Sequence, residues 1–226
     1  MVSCLRENRT CSLTRGPSLK AGPTLFNKMN INDMIYTGGI PMKTLVFFGS
    51  ARKNGNTKAL LNVFVENIEG EIEIIDSYRS NISPCIDCRY CWKERACSIK
   101  DGMQDIYEKI DNADNIVFAS PLYFNNVPGP LKNIIDRMQL YWAETVRDES
   151  YNLKEKNAVF LICGGAPKYE NQFLSIELVL NGVIKDLNAK NLIGKVYVSS
   201  TDKKPVDKNE NVINKTRKIA KKINKQ

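Results

Sequence analysis

The sequence predicts a single α/β domain with a five-stranded parallel sheet, and two observations lead to this prediction. From residue 42 onward, five segments of strand length alternate with five segments of helical length. Strands that alternate with helices imply right-handed crossovers, so the strands run parallel and helices cover both faces of the sheet. A hydrophobic content of 42% and a charged content of 26% are ordinary soluble usage, which excludes a disordered or fibrous chain.

Each element follows from an apolar pattern and from the turn residues that bound it. The strands are predicted at Thr44–Phe48, Glu71–Asp76, Asn115–Ala119, Ala158–Cys163 and Leu192–Ser199. The helices are predicted at about 56–69, 102–112, 130–142, 171–187 and 207–225. Gly70 separates the first helix from the second strand, and Pro130 suits the first turn of the third helix. Five strands and five helices in about 185 residues match a flavodoxin-like three-layer sandwich.

The charge distribution and the lack of histidine narrow the function classes. The net charge of +8 comes from the ends of the chain, since residues 201–226 hold nine basic and three acidic side chains. These lysines fall on one solvated helix without interleaved aromatics, so we expect no nucleic-acid partner. No apolar run reaches the roughly 20 residues of a spanning helix, so we expect no membrane segment. Without histidine, an enzyme of this sequence would depend on an organic cofactor.

Residues 1–41 are predicted to lie outside the domain, which then covers residues 42–226. They hold Cys4 and Cys11, scattered Gly and Pro, and no helical or strand periodicity. A secretory signal needs a continuous apolar stretch of about 7–15 residues, which this segment lacks. We expect a disordered extension, or a start assigned too early, on a cytoplasmic protein. An amphipathic targeting peptide is the alternative.

The loop after the first strand has the composition of a phosphate site. Open parallel sheets bind ligands outside the carboxyl ends of their strands, where the N–H groups of a helix start also point. The candidate ligands in this loop are Ser50, Arg52, Asn54, Asn56 and Thr57. The spacing matches neither the dinucleotide fingerprint nor the P-loop, which favours a single phosphate. The alternative is an ordinary polar turn with a capping residue.

Four cysteines cluster in the loop 83–100. Cys85, Cys88, Cys91 and Cys97 follow the spacing C-x2-C-x2-C-x5-C. Three thiolates at successive x2 spacings resemble the way bacterial ferredoxins hold a [4Fe–4S] cluster. Zinc sites with four cysteines generally use two well-separated C-x2-C pairs, and disulfides are disfavoured in a cytosolic protein. A cluster, reduced cysteines without metal, and a zinc site are the interpretations that the spacing leaves open.

Three stretches together resemble the NAD(P)H-dependent FMN reductase and iron-sulfur flavoprotein branch of the flavodoxin-like superfamily. They are Gly49–Thr57, the cysteine segment 84–102, and Ser120–Phe124 with Lys132–Arg137 after it. The resemblance covers about residues 42–195. It implies an FMN-dependent oxidoreductase that takes hydride from NAD(P)H and passes electrons to a quinone, a flavin, an azo or nitro compound, or a [4Fe–4S] cluster. It also implies a homodimer or homotetramer.

The resemblance further implies where the flavin ring binds. In the family, the loop after the third strand lines the isoalloxazine. The corresponding residues here are Pro121, Leu122, Tyr123, Phe124 and Asn125. The small residues Gly164 and Gly165 after the fourth strand would let the backbone approach the ring closely. A packing turn in the first loop and a plain strand-ending turn in the second are the alternatives.

Two other functions fit the same sequence. One is an electron carrier that exchanges single electrons with ferredoxin through FMN and a cluster, without turnover of pyridine nucleotide. The other is a flavodoxin-fold binding module whose cysteine loop holds zinc and whose basic C-terminal helix docks a partner. The colour of the purified protein separates the three, because flavin alone is yellow, flavin with iron-sulfur is brown, and a binding module is colourless.

Overall fold

The computed structural model describes residues 41–148 and 150–226, so the prediction for residues 1–40 lies outside the described residues. Five parallel strands form one sheet in the order β2-β1-β3-β4-β5. The strands are β1 Lys43–Phe48, β2 Glu71–Asp76, β3 Asn115–Pro121, β4 Asn157–Cys163 and β5 Asn191–Val198. The helices are α1 Asn56–Val65, α2 Met103–Asn112, α3 Gly129–Arg137, α4 Gln139–Arg147, α5 Leu174–Asp186 and α6 Glu210–Ile223.

Helices cover both faces of the sheet, so the predicted flavodoxin-like three-layer sandwich is confirmed. Successive side chains of a strand point to opposite faces, and β1 sends Phe47 to one face and Val46 and Phe48 to the other. The first face packs against α2, α3, α4 and α5, and the second packs against α1 and α6. Among the described residues, none of the helices is apolar for long enough to cross a bilayer.

Two predicted helices differ from those observed. The first ends at Val65 rather than at 69, and the chain then turns through Gly70, which has a φ of +93°. A Cβ atom at Gly70 would lie 2.2 Å from the carbonyl oxygen of Met42, so only glycine fits there. The single helix predicted at 130–142 was wrong, because α3 and α4 meet at Met138, whose N–H donates to Ile135 O, only three residues back.

The amino-terminal edge of the sheet carries a chain of buried polar contacts across three strands. Asn115 donates from Nδ2 to Thr44 Oγ1 (3.0 Å), and Asn157 donates from Nδ2 to Asn115 Oδ1 (2.9 Å). Lys156 is buried at the same edge, and its Nζ donates to Lys154 O (2.7 Å). The opposite, carboxyl edge of the sheet is left for the loops that follow β1, β3, β4 and β5.

Candidate functional site

Four loops at the carboxyl edge of the sheet line an open pocket, called here the first pocket. The loop after β1 contributes Ser50, Arg52, Gly55, Asn56 and Thr57. The loops after β3 and β4 contribute Pro121, Leu122, Tyr123, Cys163 and Gly165, and the loop after β5 contributes Thr201 and Asp202. β3 and β4 end level with each other, since Pro121 pairs with Cys163 in the sheet register.

One end of the first pocket has the donors that an anion needs. Helix α1 begins there with Gly55 as its N-cap in an extended conformation, and within the described residues no side chain caps this end. The first N–H groups of a helix have no partner inside the helix and carry its positive dipole end. The buried hydroxyls of Ser50 and Thr57 and the exposed cation of Arg52 line the same end. This arrangement suits a phosphate group.

Two of the predicted phosphate ligands are placed differently from what the sequence led us to expect. The Asn56 side chain donates from Nδ2 to Thr201 O (3.2 Å), and its Oδ1 accepts from Val206 N (2.9 Å). Its amide therefore ties α1 to the segment after β5. Asn54 does not line the first pocket but an adjoining hollow that it shares with Lys58 and Asp207.

Cys163, at the end of β4, lines the floor of the first pocket. Burial raises the pKa of its thiol to about 12, and a hydrogen bond with the Thr57 side chain opposes this only in part. The group is therefore a neutral thiol at physiological pH, which makes it a packing residue rather than a nucleophile.

A second pocket adjoins the first and shares Leu122 and Gly165 with it. Its other lining residues are Phe124, Asn125, Gly164, Ala166, Tyr169 and Gln172. The two pockets have volumes of about 280 and 380 Å³, which are typical of sites for small molecules. Apart from Asn54, every residue predicted for the phosphate or the ring lines one of these two pockets.

The loop after β3 forms a tight hairpin at the mouth of the second pocket. Tyr123 and Asn126 exchange both backbone hydrogen bonds (2.9 and 3.0 Å), and the two residues between them have positive φ angles. Those residues are Phe124 (φ +47°) and Asn125 (φ +60°), as a type I′ turn requires. A bulky residue in this conformation is strained, and the Phe124 ring is fully exposed, so packing does not account for the strain.

The loop after β4 forms the facing wall. Tyr169 donates its hydroxyl to Asn125 Oδ1, which joins the two walls. A Cβ atom at Gly165 would lie 2.5 Å from Asp202 Oδ2, so the Asp202 carboxylate in its observed position packs directly on the glycine backbone. Gln172 is 3% exposed and accepts at Oε1 from Ser199 Oγ (2.6 Å), while its buried Nε2 has no hydrogen-bond partner among the described residues.

The sequence interpretation missed Tyr169, Gln172, Thr201 and Asp202. Thr201 and Asp202 follow the fifth strand, and open parallel sheets bind ligands outside the carboxyl ends of their strands. Two polar residues directly after β5 could therefore have been predicted to line the pocket. Tyr169 and Gln172 lie beyond the two glycines in a loop without a motif. Only the folded loop brings them back over the pocket.

The cysteine segment forms a separate site beside α3. Cys85, Cys88, Cys91 and Cys97 line one small pocket together with Tyr107 and Arg137. All four thiols are free of disulfides within the described residues. Ser98 hydrogen-bonds Cys88 (Oγ to Sγ, 3.0 Å) and so lowers the pKa of that thiol, whereas burial raises the pKa of the Cys91 thiol. In the described part of the chain, no group of three or more cysteine or carboxylate side chains is arranged to hold a metal ion.

The fold and sequence are similar to those of known flavoproteins. The chain is 40% identical over 101 residues to an iron-sulfur flavoprotein of Methanocaldococcus jannaschii, covering 42% of this chain and 51% of that protein. It is 32% identical over 128 residues to an iron-sulfur flavoprotein of Methanosarcina thermophila, covering 55% of this chain and 64% of the other. These matches span about half to two thirds of the length of the relatives.

An NAD(P)H:quinone oxidoreductase from Methanothermobacter marburgensis has the same fold. Its structure matches with a TM-score of 0.63 at 17% identity, covering 81% of this chain and 96% of that one. The sequence profile of NADPH-dependent FMN reductases matches residues 42–175, which is more than half of the chain. The protein therefore belongs to the NADPH-dependent FMN reductase family.

Proposed function

We propose that the protein binds FMN across the first and second pockets and works as an NAD(P)H-dependent oxidoreductase. The observation that carries this proposal is the continuity of the two pockets. An uncapped helix start with buried hydroxyls lies at one end, and an aromatic hairpin faces a glycine-containing wall at the other. FMN has its groups in the same order, with a phosphate at one end, a polar chain in the middle and a flat ring at the other end.

Among the described residues, Arg52 is the one cation that lines the phosphate end, which otherwise offers uncharged donors. The N–H groups at the start of α1 and the Ser50 and Thr57 hydroxyls would hold the phosphate, and Arg52 would add a charge-assisted bond. Asn56 would act indirectly by holding α1 against the segment after β5. Asn54, one hollow away, keeps only a peripheral part in this proposal.

Asp202 distinguishes the middle of the cleft from its phosphate end. A carboxylate accepts hydrogen bonds and repels phosphate, so it suits the hydroxyl groups of the ribityl chain. Its backbone N–H donates to Gly165 O (3.5 Å), and Gly165 lines both pockets, so Asp202 lies near the boundary between them. The anionic group therefore favours one direction of binding, with the phosphate toward Arg52 and the ring toward the second pocket.

The ring end combines apolar surface with one unused donor. Pro121, Leu122 and Tyr123 offer a surface against which a flat ring can pack. The Gln172 amide nitrogen next to Gly164 is a buried donor without a partner, and a carbonyl oxygen of the flavin pyrimidine is an acceptor of the right kind. An unmade hydrogen bond at such a buried donor is costly, which favours a ligand there.

Bound FMN would supply the redox chemistry, accepting hydride from NAD(P)H and passing electrons to an acceptor. The chain has no histidine, and the Cys163 thiol on the pocket floor is neutral, so neither group would serve as a general base, and the part proposed for the lining residues is to bind and orient the flavin. The exposed Phe124 ring at the mouth of the second pocket would contact the nicotinamide or the acceptor.

We propose in addition that the cysteine segment holds a [4Fe–4S] cluster. Its four thiols surround one pocket, and a buried arginine lines that pocket beside them. Thiolate ligands and an adjacent cation suit an anionic iron-sulfur group.

The electron acceptor is a small molecule in this proposal, and ferredoxin is the alternative partner if the protein is a carrier. The names of the relatives favour the combination of flavin and iron-sulfur. A homodimer or homotetramer and a cytoplasmic location stay predictions.

An ultraviolet–visible spectrum of anaerobically purified protein, with FMN, iron and zinc analysis, tests the proposal. We expect one FMN and four irons per chain, and bleaching of the flavin bands on addition of NADH or NADPH. Flavin without bleaching would favour the carrier. Colourless protein that takes up no FMN would overturn the proposal in favour of a binding module.

A further inference from the structure

Arg137, the last residue of α3, is a charged side chain buried in the protein interior. Its side chain is 1% exposed and forms an ion pair with Asp101. Buried arginines are uncommon unless their charge and their donors are matched by partners. The partners of this guanidinium therefore indicate what it does.

Four of its five N–H donors are accounted for. Nη1 donates to Asp101 Oδ2 (3.1 Å) and Ser83 O (3.0 Å), and Nη2 donates to Asp101 Oδ1 (3.2 Å) and Ile99 O (3.2 Å). The fifth donor, Nε–H, is buried and has no partner among the described residues. A guanidinium group has five N–H donors, so Nε–H is the one donor of Arg137 left without a partner among the described residues.

The partners of the two Nη atoms lie on both sides of the cysteines. Ser83 precedes Cys85 by two residues, and Ile99 follows Cys97 by two residues. Arg137 thus closes the segment at its two ends from a single rigid helix. Asp101 extends the same contact, because its carboxylate accepts from the backbone N–H groups of Ser83 (2.9 Å) and Met103 (3.0 Å).

The unpartnered donor belongs to a side chain that lines the cysteine pocket. Arg137 and all four cysteines line this pocket, and Cys97 and Tyr107 lie within electrostatic range of the guanidinium. The Tyr107 hydroxyl donates to Arg137 O (2.8 Å) and so fixes the end of α3 as well. A buried cation with one free N–H beside four thiols suits an anionic occupant that accepts hydrogen bonds.

We propose that Arg137 is a positioning residue for the sulfur-ligated group, which clamps the ends of the cysteine segment and raises the midpoint potential of that group through its Nε–H and its charge. This inference rests on the [4Fe–4S] cluster of the proposed function. One-electron reduction makes such a cluster more negative. Hydrogen bonds to the sulfurs and a nearby cation favour that reduced state.

We expect two substitutions to shift the midpoint potential in opposite directions. R137K keeps a cation but loses the Nε–H and the planar guanidinium, so we expect a lower midpoint potential. The expected change in the equilibrium constant for reduction is about tenfold, which corresponds to 59 mV for a one-electron couple. D101N removes the negative charge that offsets Arg137, so we expect a higher potential. D105N removes an exposed carboxylate from the first turn of α2 and serves as the matched control, with no shift.

The experiment is an anaerobic redox titration of the full-length protein, followed by electron paramagnetic resonance, with iron and FMN analysis of each sample. Shifts of opposite sign in R137K and D101N, with D105N unchanged, support the inference. Equal potentials in all four proteins overturn it, because a purely structural role alters iron content and not potential. If R137K loses its iron, the midpoint potential of D101N tests the inference. An unshifted potential in D101N then overturns it.

Loss of iron from the variants or from the parent also tests the inference. Loss of iron from both variants, with the parent loaded, leaves only a structural role and overturns the tuning. A parent that binds FMN but no iron after reconstitution with iron and sulfide contradicts the cluster, and this inference fails with it. That result is distinguishable from failure of the flavin site, because FMN is measured on the same samples.

Discussion

Asn56 and Thr201 are joined by a hydrogen bond of 3.2 Å across 145 residues of sequence, from the side chain at the start of α1 to a backbone carbonyl after β5. The other end of the same amide accepts from the Val206 N–H at 2.9 Å. Two loops that follow strands at separate places in the sheet are thereby held at a fixed distance. The first pocket lies between them.

This contact predicts that Asn56→Ala lowers the stability of the protein. The substitution removes two hydrogen bonds, each worth about 1 kcal/mol, and leaves the Val206 N–H without its partner, so we expect a loss of about 1–3 kcal/mol in urea unfolding. Asn54→Ala is the control, since Asn54 is exposed. Equal stability of the two variants would contradict the role given to Asn56.

Arg52→Ala should weaken FMN binding without affecting the fold. A hydrogen bond to a charged group is worth about 1.5–3 kcal/mol, which corresponds to a roughly ten- to more than a hundredfold loss of affinity in a fluorescence titration. Riboflavin lacks the phosphate, so its affinity should not change. Lys53→Ala, which alters a neighbouring exposed cation, is the matched control. Unchanged FMN affinity in Arg52→Ala would place the phosphate elsewhere.

Phe124→Gly should separate function from stability. Glycine relieves the positive φ of +47° at this position, while its greater freedom in the unfolded chain opposes that gain. The ring is fully exposed, so its removal costs little packing. We expect an unchanged melting temperature and a lower kcat/KM with quinone acceptors. A melting temperature several degrees lower would show that the ring packs in the native protein.

The buried ammonium group of Lys156 should make the stability of the protein depend on pH in the alkaline range. Burial lowers the pKa of its ammonium group to about 8, below the ordinary value of 10.5. Between these two pH values the unfolded chain binds a proton that the native protein does not, so this residue makes stability rise with pH there. We expect Lys156→Met to have a higher melting temperature than the parent at neutral pH. Thermal melts at pH 7 to 10 should show that this difference in melting temperature shrinks as pH rises. A constant difference between variant and parent would exclude the lowered pKa.

A chain that starts at Met42 should match the full chain in melting temperature and FMN content. β1 begins at Lys43, and the family profile begins at residue 42. Ordering residues 1–41 would cost backbone entropy of about 1–2 kcal/mol per residue, and their sequence offers no periodic apolar face to offset it. A clear loss of stability in the shorter chain would show that the removed residues contribute contacts.

The three central strands, β1, β3 and β4, could be predicted from the sequence because each is a nearly continuous buried run, whereas the edge strands β2 and β5 are only partly buried. In β3, for example, Ile116, Val117 and Phe118 are all fully buried between the two layers of helices, and the sequence places apolar side chains at all three positions. Helix ends were less predictable. The break at Met138 lies in an unbroken helical pattern without Gly or Pro, and only the folded chain shows it, through the short-range hydrogen bond from Met138 N–H to Ile135 O.

The residues of the candidate site that belong to one loop could be predicted from the sequence. The contacts between residues that lie far apart in the sequence could not. Ser50 and Thr57 could be placed in the lining of the first pocket because they flank a strand-to-helix turn. The side chain of Asn56 looked free in the sequence, and its partners at Thr201 and Val206 become visible only in the folded chain. Arg137 was interpreted as a helix residue, since nothing local shows that its donors reach Ser83 and Ile99.

The polar chain through Thr44, Asn115 and Asn157 also constrains how the strands can align. If β3 slid by one residue, the Asn115 amide would be buried without either partner, at a cost of about 1–3 kcal/mol for each unmatched group. Apolar side chains alone would tolerate such a slip more readily. Because alignment is specified at the amino-terminal edge, the loops at the opposite edge can vary in sequence and length while the strand ends beneath them stay level, which would let one scaffold accept different oxidants.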